Sequence, residues 1–473
     1  MSQVVATAGK PAGASAALDS GALATAQRDI AARLERLPIT RTHMKARFVV
    51  GSATFFDGFD ALSISFVMPV LVILWHLGPK ETGLLLSSAY VGQVLGAMFF
   101  PWASDKYGRL WSTAYSAGLF GIASFLCGLC WSMPSLLVAR FIQGCGLGGE
   151  VPVGATYINE IAQAPTRGRF FLLYEMAFAF GYLGAASVGL WLVPHAGWQA
   201  MFFVGAFPAL IAAVMRRLLP ESPRWLAGKG RAAEADVIVS RMEHEAEAKL
   251  GHPLPPPALG LVPPFNAKKM RLGELFQGIY LSRTCVVWTL WFCQFFVTQA
   301  INSWLPTLYR TQLHLSLQQS LEYAFLNHGL GILSAFTVAM LLDRMGRRLW
   351  FALALPLGAL PLLVLAYTGV ANPVLVVVMA TASTFCLSTC SVSLYVYTPE
   401  LYPTRMRGFA TGTAATMRNI GASISPALLG LVLADYGISS VFLLFGIVPL
   451  IGATVVALFG IETKGRVLEE ISP

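Results

Sequence analysis

A chain of 473 residues with 56% hydrophobic and only 12% charged side chains cannot dress the surface of a soluble domain of its size. Its apolar runs reach about 20 residues, the length of a membrane-crossing helix and about twice that of a barrel strand. The net charge of +9 calls for no nucleic-acid partner, because the basic residues fall in one set of loops, where anionic lipid headgroups attract them.

In chain order, residues 1–27 are rich in Ala, Ser and Gly and lack an apolar core, so they read as a disordered tail and not a signal peptide. The tail unit is 1–46. Apolar runs near 48–75, 82–104, 110–132, 134–159, 170–193 and 198–219 make a first bundle, 47–219. Residues 220–283 are polar, with a mixed-charge helical stretch and the extended "HPLPPPALGLVPP", and read as a cytosolic linker with short helices. Runs near 284–308, 319–342, 349–368, 373–398, 408–432 and 438–460 make a second bundle, 284–460, before a tail at 461–473. Seven cysteines all lie in apolar runs, where a thiol acts as a small hydrophobe, so "CGLC" marks neither a disulfide nor a metal site.

With the N-terminus inside, cytoplasmic segments hold 29 of the 33 Lys and Arg. Lys80 and Arg310 fall outside, and Arg140 and Arg418 within spans. Both termini are therefore expected in the cytoplasm of a plasma (inner) membrane protein.

An internal repeat is the most informative feature. "SDKYGRL" (104–110) recurs as "LDRMGRR" (342–348), and "NEIAQAPTRGR" (159–169) as "PELYPTRMRG" (399–408). "PESPRWL" (220–226) is echoed by "IETKGRVLEE" (461–470). Each match falls after the same span of its half. Acids are not required by positive-inside anchoring, so Asp105, Arg109, Glu160, Arg167, Asp343, Arg347, Glu400 and Arg407 read as charge pairs that link helices at the cytoplasmic mouth and break and re-form as a gate.

These motifs resemble the major facilitator superfamily over residues 45–470, with D-x-x-G-R as its signature and "PESPRWL" and "ETKGR" pointing to its sugar-porter and metabolite/H⁺-symporter branch. The resemblance implies an all-α membrane protein: twelve transmembrane helices in two pseudo-symmetric six-helix bundles, substrate between them at the midplane, acting as a monomer without cofactor or metal.

Ionisable groups at membrane depth are functional candidates by default. Asp57 and Asp60 in "DGFD" share a helix face, and two carboxylates so close in a low dielectric resist joint ionisation. That suits proton uptake and release. Asp57 is the chosen proton site, and Asp60 pairs structurally or senses substrate. "DGFD" also resembles the D-G-x-D of aromatic-acid/H⁺ symporters. Arg140 opens "RFIQGCGLGGEVPVG", similar to an R-x-x-x-G element associated with proton symport, and its glycines allow close helix approach. Glu150 lies on the same span and either binds a proton or cation or forms a salt bridge.

Arg418 is the anion-binding candidate, since its guanidinium offers a bidentate fork to a carboxylate; a pair with Glu175 is the alternative. Tyr90, Gln93, Gln294, Gln299, Asn302, Trp304, Asn327, Tyr395 and Tyr397 are candidate substrate contacts around a flat ring. "GCGLGGEVPVGATYINE" resembles the metabolite/H⁺ branch that contains bacterial nicotinate permeases and synaptic-vesicle glycoproteins. The expected activity is proton-coupled symport of a small organic anion, nicotinate being the sharpest guess. A sugar/H⁺ symporter and a proton antiporter exporting an organic cation or drug stay open. No nucleophile–base spacing points to an enzyme.

Overall fold

The computed structural model describes residues 12–257 and 272–465. Helices dominate: α1 (Ala12–Glu35), α2 (Arg41–Leu74), α3 (Pro79–Tyr107), α4 (Arg109–Gly128), α5 (Met133–Ile161), α6 (Ala164–Ala196), α7 (Gln199–Gly205), α8 (Pro208–Leu218), α9 (Pro223–Gly228), α10 (Ala232–Leu250), α11 (Ile279–Thr311), α12 (Leu317–Met345), α13 (Arg347–Thr368), α14 (Pro373–Glu400) and α15 (Thr404–Phe459). No strand occurs among the described residues.

Ten helical stretches are long and apolar enough to cross a membrane, α7 and α8 counting as one. Two further crossings complete twelve. The 56 residues of α15 would span about 84 Å if straight, far beyond a hydrocarbon core of about 30 Å. Gly437, with φ of 79°, breaks it into two spans. The twelfth crossing is α5, 29 residues long but diluted by Arg140 and Glu150. Its glycines do what their spacing predicts. A Cβ on Gly144 or Gly148 would strike the carbonyls of Ala89 or Gln93, so α3 and α5 touch backbone to backbone.

Helices α2–α8 form one half and α11–α15 the other. Across the halves, α3 packs on α15, α2 on α11 and α6 on α12. The α3–α15 contact lies toward the face opposite the termini. There Lys80 pairs with Asp435 at 2.8 Å and the Ala427 N–H donates to Ser87 Oγ at 2.9 Å. A Cβ on Gly83 would sit 2.6 Å from the Pro426 carbonyl oxygen. The ion pair and hydrogen bonds described between the halves lie at mid-depth or toward that opposite face, so the cleft between them is closed on that side.

The N-terminal tail differs from expectation. Residues 12–35 form α1, and Ile30, Leu34 and Leu37 bury against Trp225, Leu226, Val239 and Met242 of α9 and α10. Arg33 reaches Glu243 at 2.7 Å and Arg36 reaches it at 2.5 Å. Ile30 and Leu34 are one turn apart on one face, a pattern hidden inside an Ala-rich, polar stretch. The expected short helices of the linker are α9 and α10. Residues 1–11 of the tail, 258–271 of the linker and 466–473 lie outside the described residues.

Candidate functional site

At the termini face the repeat becomes two matching charge clusters. Arg109 bonds Asp105 at 2.5 Å and Glu160 at 3.0 Å; Arg347 bonds Asp343 at 2.8 Å and Glu400 at 2.9 Å. Glu221 accepts the N–H groups of Arg109 and Leu110, both at 3.0 Å, and so caps α4. Glu462 accepts those of Arg347 and Arg348 at 2.8 and 3.0 Å and caps α13. A carboxylate at a helix N-terminus meets free N–H groups and the positive end of the dipole. Burial pushes the Glu462 carboxyl up, but the N–H groups of Lys464, Arg347, Arg348 and Thr463 together hold it below its ordinary range.

This geometry explains the glycine of D-x-x-G-R. Gly108 (φ 124°, ψ 154°) and Gly346 (φ 90°, ψ 158°) occupy a region open essentially to glycine alone. A Cβ on either would also collide with Glu221 or Glu462. Both clusters stay within their own half, bracing three neighbouring spans. They were expected to include Arg167 and Arg407 beside the acids. Instead Arg167 bonds Glu35 of α1 at 2.9 Å, and Arg407 donates to the Tyr402 carbonyl at 3.0 Å. Those two arginines follow a sharp helix start, and its nearest acceptors are a carbonyl and the α1 carboxylate.

Within the spans the halves no longer match. Asp60, fully buried, accepts Arg140 Nη1 at 2.9 and 3.2 Å and Gln143 Nε2 at 2.6 Å. Arg140 also donates to Gln143 Oε1 at 2.8 Å, which closes the cluster on itself. Asp57, one turn nearer the termini face, has no hydrogen-bond or ion-pair partner among the described residues, and Arg418 is the cation whose field reaches it. Glu150 is buried; its Oε1 accepts Thr54 Oγ1 at 2.9 Å and its Oε2 has no partner. Thr54 Oγ1 lies 2.7 Å from the Tyr174 hydroxyl.

In the second half, Arg418 Nη1 donates to the Tyr395 hydroxyl at 3.0 Å and Nε to Asn419 Oδ1 at 3.2 Å, with the guanidinium 5.7 Å from the Phe295 ring centre. No carboxylate lies within salt-bridge distance of it among the described residues. Trp291 stands edge-on to Tyr395 at 4.8 Å. Gln294 Nε2 ties α11 to α14 through Leu387 O and Ser391 Oγ, while its Oε1 is unpartnered. Asn302 Oδ1 and both amide atoms of the buried Asn327 also lack partners. Between the halves, Gln299 donates to the Tyr90 hydroxyl, and His328 sits 6.1 Å from Tyr182 and 6.3 Å from Phe66.

The structure thus brings Asp57, Arg418 and Tyr395 to one cleft, with Tyr90 and Gln299 at its closed end. Two expected contacts lie elsewhere, and Gln93 makes no polar side-chain contact that is seen. The Trp304 indole donates to Pro426 O, inside the second half. The Tyr397 hydroxyl accepts the Ile461 N–H at 3.1 Å, at the termini face. Gln93 presents its carbonyl to Gly148, and no side-chain hydrogen bond of it is seen among the described residues. Aromatic side chains in apolar helices carry no sequence mark of depth, so ordinary packing claims them. Sequence reasoning also missed Gln143, Thr54, Tyr174, Tyr182 and His328. Gln143 lies three residues after Arg140, the spacing that shares a helix face, and was the one with a usable signal.

The model of the sugar (and other) transporter family matches residues 44–473. The niacin transporter NiaP of Acinetobacter baylyi is 33% identical over 446 residues, covering 94% of this chain and 99% of that protein. The 4-hydroxybenzoate transporter PcaK of the same organism is 26% identical, covering 91% and 93%. A solved D-xylose–proton symporter superposes with a TM-score of 0.69 at 19% identity, over 90% of this chain and 99% of that one. The match of fold, repeat and family model over nearly the whole length leaves one placement: the chain belongs to the sugar (and other) transporter family of the major facilitator superfamily and is a membrane transporter of small organic substrates, not an enzyme.

Proposed function

We propose that this transporter carries a small aromatic carboxylate, nicotinate first among candidates, together with a proton, by alternating access across the plasma (inner) membrane with both termini in the cytoplasm. The observation that carries this reading is Arg418. It is a guanidinium deep in the cleft, oriented by Tyr395 and Asn419 and backed by the Phe295 face, with no carboxylate paired to it. A bidentate fork beside aromatic rings suits a flat anion. The substrates after which NiaP and PcaK are named, niacin and 4-hydroxybenzoate, support the same class.

Asp57 supplies the coupling. Ionised, it competes with the substrate for the field of Arg418; protonated, it releases that field. Anion and proton therefore favour each other's binding, and the doubly loaded carrier closes where a singly loaded one leaves an unpaired charge in the bilayer. Asp60 is held by Arg140 and Gln143 and serves as a fixed neighbour that discourages a second negative charge at Asp57. On the positive-inside orientation, the closed end of the cleft faces outward, so substrate would leave toward the cytoplasm.

The test is uptake of radiolabelled nicotinate or benzoate into proteoliposomes under an inward proton gradient. Asp57→Asn is expected to bind substrate yet lose gradient-driven accumulation; full accumulation by this variant would sink the proton role. A second reading rests on the unpartnered amide oxygens of Gln294 and Asn302 and the unpartnered amide of Asn327, which suit a hydroxyl-rich ligand. Competition of uptake by xylose or glucose, and not by benzoate, would favour that sugar reading.

A further inference from the structure

One polar side chain of the cleft has no role in that reading. His328, on α12, is held between the halves by two rings of the first: Tyr182 of α6, edge-on at 6.1 Å, and Phe66 of α2, tilted at 6.3 Å. Its ring nitrogens make no hydrogen bond among the described residues, and neither is sealed from open space. The Tyr182 hydroxyl likewise has no hydrogen-bond partner among those residues. Asn327, the residue before His328, is 2% exposed and has both amide atoms unpartnered. One turn nearer the termini face, a Cβ on Gly331 would meet nothing within 4 Å, so this side of α12 borders open space.

Backbone contacts and hydrogen bonds give the depth of this turn. A Cβ on Gly181 would strike the Phe55 carbonyl, so Tyr182 stands level with the turn of α2 that carries Asp57. Phe66 is nine residues beyond Asp57, about 14 Å further toward the closed side. His328 touches both rings and therefore lies between those depths. On the other wall, the Tyr90 hydroxyl donates to Ala61 O at 3.4 Å and accepts from Gln299. Asp57 is one turn before Ala61, and Phe295 one turn before Gln299, so Phe295 and the guanidinium of Arg418 beside its ring stand at the depth of Asp57. Laterally, the bond to Tyr395 draws that guanidinium to α14, and α14 packs directly on α12. One helix spacing, about 8–10 Å, then separates the wall of the fork from that of the imidazole, room for one aromatic acid.

We propose that His328 reads the ring of the substrate, through a hydrogen bond to a polar ring atom, while Arg418 holds the carboxylate. The proposal rests on the anion reading above and names the residue that tells one aromatic acid from another. An imidazole offers an N–H donor and, when neutral, an acceptor nitrogen as well. It donates to the ring nitrogen of a pyridine carboxylate such as nicotinate and accepts from the hydroxyl of a hydroxylated benzoate. Benzoate has the same shape and the same carboxylate but offers neither group. It leaves the imidazole without a partner in a site that has shed its water, and a site built to hydrogen-bond a ligand rejects the analogue that lacks the bond. Tyr182 and Phe66 hold the plane of the imidazole, and its nitrogens, not its faces, are left for the ligand.

The experiment measures binding of radiolabelled nicotinate and, separately, benzoate to the full chain in detergent. The parent is expected to prefer nicotinate by about tenfold. His328→Phe keeps a flat ring between Tyr182 and Phe66 and removes both nitrogens. Its nicotinate affinity should fall by about tenfold, its benzoate affinity should stay within about twofold of the parent, and the preference should vanish. His328→Gln, which restores a donor and an acceptor, should keep a preference of about threefold or more. A histidine that served packing alone would move both acids together. Equal losses for the two acids, or a preference that survives in His328→Phe, would overturn the proposal. So would a parent with no preference for nicotinate, an outcome that needs no variant to fold. If the parent bound neither acid, the anion reading would fall first, a result distinct from any effect of His328.

Discussion

The two halves of this transporter are copies at one depth and strangers at another. At the termini face, Arg109, Glu160 and Glu221 are repeated almost bond for bond by Arg347, Glu400 and Glu462. Ten or more residues deeper, the first half holds Asp57, Asp60, Arg140, Glu150 and Glu175, while the second holds Arg418 and a set of amides. Duplicated residues cap helices and brace spans, a mechanical task that both halves share. Unduplicated residues carry charge into the bilayer, and a site between two halves needs the two sides to differ: acids on one, a cation on the other.

The largest expected effect separates a closed buried pair from an open one. Arg140→Ala strands Asp60 without its cation, which should destabilise the folded protein by about 3–5 kcal/mol. Arg418→Ala has no salt bridge to break. Thermal melting in detergent should therefore fall sharply for the first variant and little for the second, whereas nicotinate binding should vanish in the second. Equal melting shifts would refute the distinction between the halves.

A middle-sized effect tests the symmetry. Gly108→Ala and Gly346→Ala each force a Cβ into a glycine-only backbone region, at a cost of about 1–3 kcal/mol each. The two losses, read as melting shifts, should agree within experimental scatter. A large effect in one half alone would mean that the clusters do different work despite matching geometry.

The smallest effect concerns a feature seen only beside the first half among the described residues, the docked helix α1. Burial pushes the Glu35 carboxyl up, yet the Ala164 N–H and the guanidinium groups of Arg224 and Arg167 outweigh it and hold Glu35 below its ordinary range. Burial likewise raises Glu243, and Arg33 and Arg36 bring it below that range. A carboxylate with a depressed folded value stabilises docking above its unfolded value of about 4.3 and loses that contribution as pH falls through the folded value. Release of α1 should therefore set in only below about pH 4, and Glu35→Ala should weaken docking by about 1 kcal/mol at neutral pH. Limited trypsin cleavage within residues 28–36 reads both, and equal protection in parent and variant would show that Glu35 does not hold the helix.

Much of this was legible in the chain. Apolar run length fixes the number of crossings because a bilayer has one thickness, and the repeat offset fixes the two-half architecture. The D-x-x-G-R pattern announced both clusters, since only a glycine permits the turn that aims a capping acid at the next helix. Asp57, Asp60, Arg140 and Arg418 stood out because a charge is conspicuous among apolar neighbours. Pairing was not legible. Nothing local distinguishes Asp57 from Asp60, and only the approach of α5 gives Asp60 to Arg140 and leaves Asp57 facing the cleft. Depth was equally hidden for Tyr395, Tyr397 and Trp304. One orients Arg418, one holds the Ile461 backbone and one binds a carbonyl inside its own half, although all three are aromatic side chains in apolar helices.

Composition, run length and repeat determined by themselves that this protein spans a membrane twelve times in two related halves, because those properties answer to solvent and to local backbone geometry. Which acid meets which cation, which face of the cleft is closed, and that α1 docks as a helix and not as a loose tail were decided only by tertiary packing. Those outcomes depend on how close two backbones can come, and that is settled by contacts such as Gly58 on Phe178, between residues more than a hundred positions apart.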